Sequence, residues 1–92
     1  AQHLAPNTLR LQVYPNPASN NDVRIRYTIP NKSKVGLIIY NSLGQAVDVL
    51  VDRELEAGVY ELYWNRKLSS GVYFIRLETE YHKVTKKTVL LR

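Results

Sequence analysis

Cysteine is missing from the 92-residue chain, so neither a disulfide framework nor a thiolate metal site contributes to its stability, and the redox compartment stays open. Long apolar runs are missing too. The longest, GLIIY at residues 36–40, falls far short of the roughly 20 residues of a helical membrane span. No stretch repeats its apolar residues with helical period, and there is no internal repeat or low-complexity tract. Glycine is sparse, at four residues, and with the regular apolar patterning this argues against disorder. The opening AQHLAPNT contains no basic segment followed by an apolar one, so it does not read as a secretory leader. The expectation is a linker at residues 1–8, joining an upstream cargo domain to a folded domain at residues 9–92.

What is present is 45% hydrophobic residues, with seven tyrosines and one tryptophan. At this size, area scaling gives about 5,500 Å² folded against about 15,400 Å² extended, so roughly two-thirds is buried and one modest core is expected. Thirteen Lys and Arg against eight Asp and Glu give a formal net charge of +5. That favours loose contact with anionic polymers or surfaces without identifying one.

Apolar residues recur at every second position in short runs separated by turn residues. LRLQVY (9–14) places Leu9, Leu11 and Val13 on one face, and PNPASNND then supplies prolines and Asn/Asp residues that read as a loop. VRIRYTI (23–29) alternates most cleanly, with Val23, Ile25, Tyr27 and Ile29 facing one side and Arg24, Arg26 and Thr28 the other. Strands at 34–41 and 45–52 are joined by SLG, where Gly44 permits the left-handed conformation of a short hairpin with a bulge. VYELYW (59–64) and VYFIRLETE (72–80) follow Gly58 and Gly71. KVTKKTVLLR (83–92) is the seventh strand, with Val84, Lys86, Thr88 and Leu90 on one side and Thr85, Lys87, Val89 and Leu91 on the other. Its expected anchor is Val89 to Leu91, leaving Lys86 or Lys87 accessible. Seven strands with turns near every ten residues predict an all-β, seven-stranded antiparallel immunoglobulin-like β-sandwich. A five-stranded OB-type barrel is the runner-up, and it would require merging strands across the turn signals at Gly44 and Gly58.

The residues of chemistry are thin. His3 lies in the linker and His82 in a turn, and both read as surface histidines. No G-x-S-x-G, HExxH or P-loop motif occurs, so the chain reads as a non-enzyme with no cofactor. Asn20, Asn21 and Asp22 fall short of a calcium shell and read as a turn. Trp64, with Tyr60 and Leu62 on its face, is either core or a sugar-stacking platform, and core is preferred. Two basic faces, Arg24 with Arg26 and Lys83 with Lys86 and Lys87, invite a nucleic-acid reading. No nucleic-acid motif accompanies them, and lysines on an edge strand discourage pairing with other chains.

In order and spacing, VYPNPASN (13–20), VRIRYTIP (23–30), LIIYNSLGQAV (37–47), AGVYELYW (57–64), LSSGVYFIRL (68–77) and TKKTVLLR (85–92) resemble the type A C-terminal sorting domain of the type IX (Por) secretion system. The resemblance implies a role as an address label on an exported cargo of a Bacteroidetes-like, Gram-negative bacterium. In that setting the cargo folds in the periplasm, and outer-membrane translocon and shuttle proteins are the partners. A sortase-like surface peptidase then commonly removes the domain and joins the cargo to anionic lipopolysaccharide. With no nucleic-acid motif and no long apolar run, neither a nucleic-acid partner nor a membrane-spanning segment is expected.

Residue by residue, Pro15, Asn16 and Pro17 match the opening motif, Gly44 the hairpin turn, and Gly58 and Gly71 the glycines before strands. Tyr73, Lys86, Lys87, Leu90, Leu91 and Arg92 match the closing motifs. Of these, Lys86, Lys87, Leu90, Leu91 and Arg92 are the expected recognition residues and the others are structural. The alternative function is a carbohydrate-binding or spacer accessory module of a secreted hydrolase.

Overall fold

The computed structural model describes residues 9–14, 18–19, 23–64 and 68–91. Within them the chain forms eight strands: β1 (Arg10–Tyr14), β2 (Ala18–Ser19), β3 (Val23–Ile29), β4 (Ser33–Asn41), β5 (Ala46–Leu55), β6 (Gly58–Trp64), β7 (Gly71–Glu78) and β8 (Lys83–Leu91). The seven expected strands are present, and β2 is an addition. They make a three-stranded sheet, β1-β3-β6, and a five-stranded sheet, β2-β8-β7-β4-β5. All pairings are antiparallel except the short parallel contact of β2 with β8. The chain crosses between sheets after β1, β2, β3, β5 and β6, giving the expected immunoglobulin-like sandwich.

Alternation places the core. In β3, Val23, Ile25, Tyr27 and Ile29 are all buried while Arg24 and Arg26 are exposed. They meet Val35, Leu37 and Ile39 of β4 and Ile75 and Leu77 of β7, and Leu11, Leu55, Trp64, Tyr73 and Leu90 close the cluster. These side chains leave water from both inner sheet faces, which is the main force holding the layers together.

Two corrections concern strand ends. The PNPASNND segment is not wholly a loop, because Ala18 and Ser19 lie in register with Leu90 and Leu91. A two-residue strand carries no periodicity by which sequence would reveal it. The strand expected at 45–52 runs on to Leu55, which is buried and pairs with Ser33. The β4–β5 ladder has two register shifts, and each leaves an extra residue on β5, Leu50 at one and Val47 at the other. Both extra residues pack against the core, so bulging turns more apolar surface inward than strict alternation allows.

Candidate recognition surface on the terminal strand

β8 pairs with β7 over its whole described length, from Glu78↔Lys83 to Gly71↔Leu90. Its β-branched residues Val84, Thr85, Thr88 and Val89 suit this pleated surface. On the opposite side it has a strand neighbour only at Leu90 and Leu91, where β2 runs parallel to it. Along Lys83–Val89 that side of the strand meets no paired strand among the described residues.

The anchor differs from the expected one. Thr88 and Leu90 are fully buried, whereas Leu91 is 50% exposed and Val89 half-buried. Leu90 therefore holds the strand, and Leu91 is presented. The Thr88 hydroxyl has no hydrogen-bond partner among the described residues although its atom is out of contact with solvent. An orphaned buried hydroxyl costs about 1–3 kcal/mol relative to a paired one.

Lys86 and Lys87 are both exposed. They line a groove of about 290 Å³ at the seam between the sheets, with Leu11, Gln12, Val13 and Tyr14 of β1 as the other wall. Lys83 is exposed at the start of the same strand, across from Glu78. The surface is therefore an exposed cationic strand next to a shallow seam, held at one end by buried Leu90.

The structural residues of the motifs fall into three places. Gly71 and Tyr73 lie directly opposite Leu90 and Thr88, so the SGVYF stretch and the terminal stretch form one ladder. The Tyr73 hydroxyl donates to the carbonyl of Ser69 at 2.8 Å, and its ring meets Trp64 edge-on at 6.1 Å. Gly58 lies in the other sheet and begins a matching corner, in which the Tyr60 hydroxyl donates to the carbonyl of Glu56 at 2.7 Å. The two G-V-Y stretches, at 58–60 and 71–73, thus build the same device twice, and that echo is the signal by which Tyr60 could have been found.

Gly44 lies far from both, with φ of 82°, in the left-handed region where a side chain is disfavoured. Asn41 organises this turn. Its Oδ1 accepts from the N–H groups of Leu43 and Gln45 at 2.9 and 3.0 Å, and its Nδ2 donates to Gln45 Oε1 at 2.9 Å. Sequence reasoning passed over Asn41 and Gln45, although asparagine bonding its own backbone two residues on is a known turn former. Pro15, Asn16, Pro17 and Arg92, and the Asn20 to Asp22 cluster, lie outside the described residues.

Trp64 is core. It is 3% exposed and its indole N–H donates to Asp48 Oδ2 at 3.0 Å. No face is left for stacking a sugar. Among the described residues Tyr27 is held off its ordinary acidity: burial first, and the neighbouring Tyr60 second, raise it, with Arg53 opposing. Among the described residues no cluster of three or more His, Asp or Glu is placed to hold a metal. Among the same residues no helix is long and apolar enough to cross a membrane.

Three of the quoted stretches meet on this surface. Ala18 of the PNPAS stretch, Leu90 of the terminal stretch and Gly71 of SGVYF occupy one row across three adjacent strands. The family model described as the secretion system C-terminal sorting domain matches residues 12–91. No curated protein matches the chain.

Proposed function

The chain belongs to the family of secretion system C-terminal sorting domains, and from that premise we propose that β8 is the address an outer-membrane translocon reads. The family is one of sorting signals, not of enzymes, and membership implies type IX export to the cell surface or the medium. The finer steps are ours. The domain folds in the periplasm at the end of its cargo, and shuttle proteins and the translocon engage Lys86, Lys87 and the presented Leu91. A sortase-like peptidase then removes the domain at the cell surface.

The observation that carries this reading is the convergence of three separated stretches on β8 and its two neighbours. A strand whose lysines are exposed and whose leucine is buried separates the reading surface from its anchor. Lys86 and Lys87 are exposed and line the seam, a cationic surface suited to acidic partners.

The test is a fusion of residues 9–92 to a periplasmic reporter in a bacterium that has this secretion system. The parent fusion is expected at the cell surface or in the medium. A Lys86→Glu/Lys87→Glu variant is expected to keep its melting temperature and lose export. Retention of the parent in the periplasm overturns the sorting reading for this chain. Undiminished export of the charge-reversed variant removes the lysines from it. A passive spacer predicts that variants affect export only as far as they affect melting.

A further inference from the structure

Exposed sheet edges invite pairing with other chains, and proteins blunt them with bulges, charges, short strands or covering segments. Three of the four outer strands here carry such devices. β2 is two residues long. β5 carries two bulges and the charges of Asp48, Asp52, Arg53 and Glu54. β1 packs its free side against β8 across the lysine-lined seam.

β6 has none of these devices. It is seven residues long, GVYELYW, and pairs in unbroken register with β3 from Val23↔Trp64 to Ile29↔Gly58. It contains no lysine, arginine or proline, and among the described residues no strand pairs with its other side. Its outward residues Val59 and Tyr63 are 60% and 65% exposed. The single charge, Glu61, is already neutralised by Arg24, with Nε to Oε2 at 3.0 Å.

We propose that β6 is an interface for a second copy of this chain, which adds its own β6 antiparallel to form a continuous six-stranded sheet. Charge restricts the register. A two-fold axis at Glu61 would set two carboxylates directly opposite, which is unfavourable. An axis at Leu62 sets Tyr63 opposite Glu61 of the second copy and Tyr60 opposite its Trp64, with every pair on one face. The outward row then runs Arg24, Tyr63, Glu61 of the second copy and its Arg26, so each carboxylate lies among arginines and no like charges face each other. The pairing closes as well. The far edge of each three-stranded sheet, β1, is already backed by β8, so two copies saturate the interface and a filament does not follow.

Sedimentation velocity of the 92-residue chain, from micromolar to near-millimolar concentration, tests this. A monomer–dimer equilibrium is expected, and it should strengthen with added salt, because screening relieves the repulsion between two chains of charge +5. Tyr63→Glu, which sets a carboxylate opposite Glu61 of the second copy, is expected to weaken dimerisation by about tenfold or more while leaving the thermal transition in place. Val49→Lys, at an exposed site on bulged β5, should leave it unchanged. A monomer throughout the range overturns the proposal. So does a dimer that Tyr63→Glu does not weaken, or one that Val49→Lys abolishes.

Discussion

β3 and β8 are strands of similar length that contribute to the same core, and they are built to different standards. In β3 every inward residue is apolar and buried, and the exposed Arg24 is fixed by Tyr14, whose ring centroid is 4.9 Å away, and by Glu61. In β8 the inward row reads Val84, Lys86, Thr88 and Leu90: one half-buried residue, one exposed cation, one buried hydroxyl without a partner among the described residues and one full anchor. β3 is specified for stability. β8 gives up stability at Lys86 and Thr88, and both departures lie on the strand that the sorting reading assigns to recognition. Local departures from good packing are commonest where another requirement acts on the same residues.

Substitutions can break this comparison in graded steps. Ile25→Ala in β3 is expected to cost about 4 kcal/mol and Leu90→Ala in β8 about 2 kcal/mol, within the range for buried aliphatic truncations and ordered by how readily each site can collapse. Denaturant titration of both variants checks the ordering, and equal losses would show that β8 is anchored as firmly as β3. Tyr73→Phe, which deletes the bond to Ser69, should cost about 1 kcal/mol. Thr88→Val, nearly isosteric and free of the orphaned hydroxyl, should stabilise the domain by about 1 kcal/mol. A loss there would mean that the hydroxyl contributes favourably and that β8 is no looser than β3.

The smallest effect concerns pH. Burial raises Tyr27 above its ordinary value of 10.0, so the folded state holds the phenolic proton more tightly than the unfolded chain. Its contribution is fully present below pH 10 and is lost as pH rises through the higher folded value. Alkaline melting curves of the parent should fall more steeply above pH 10 than those of Tyr27→Phe.

Legibility in the sequence followed the same division. The alternation of β3, β4 and β7 was readable because one face of each meets the core and the other meets solvent, so period two is imposed at every position. Trp64 was readable as core because a single large aromatic gains most by burial. β5 was harder, since its bulges at Val47 and Leu50 break the period that reveals a strand. β2 had no period to break. The candidate site was half legible: the lysines of β8 showed as exposed polar positions, but Leu90 and Leu91 look alike in sequence. Only the register against Gly71 and Ala18 separates the anchor from the residue presented to solvent. Asn41 was hidden for another reason, because its work is done on main-chain groups of its own turn.

The parallel contact of β2 with β8 also sets how the domain responds to force. Tension applied between the start of β2 and the end of β8 pulls two parallel strands past each other, so their hydrogen bonds are loaded together in shear and not opened one by one. Long contacts of that kind make mechanically strong clamps. This one is two residues long, with Ala18 against Leu90 and Ser19 against Leu91. Under traction between those two points it is the fastening that bears the load, and it is short enough to yield before the longer β7–β8 ladder behind it.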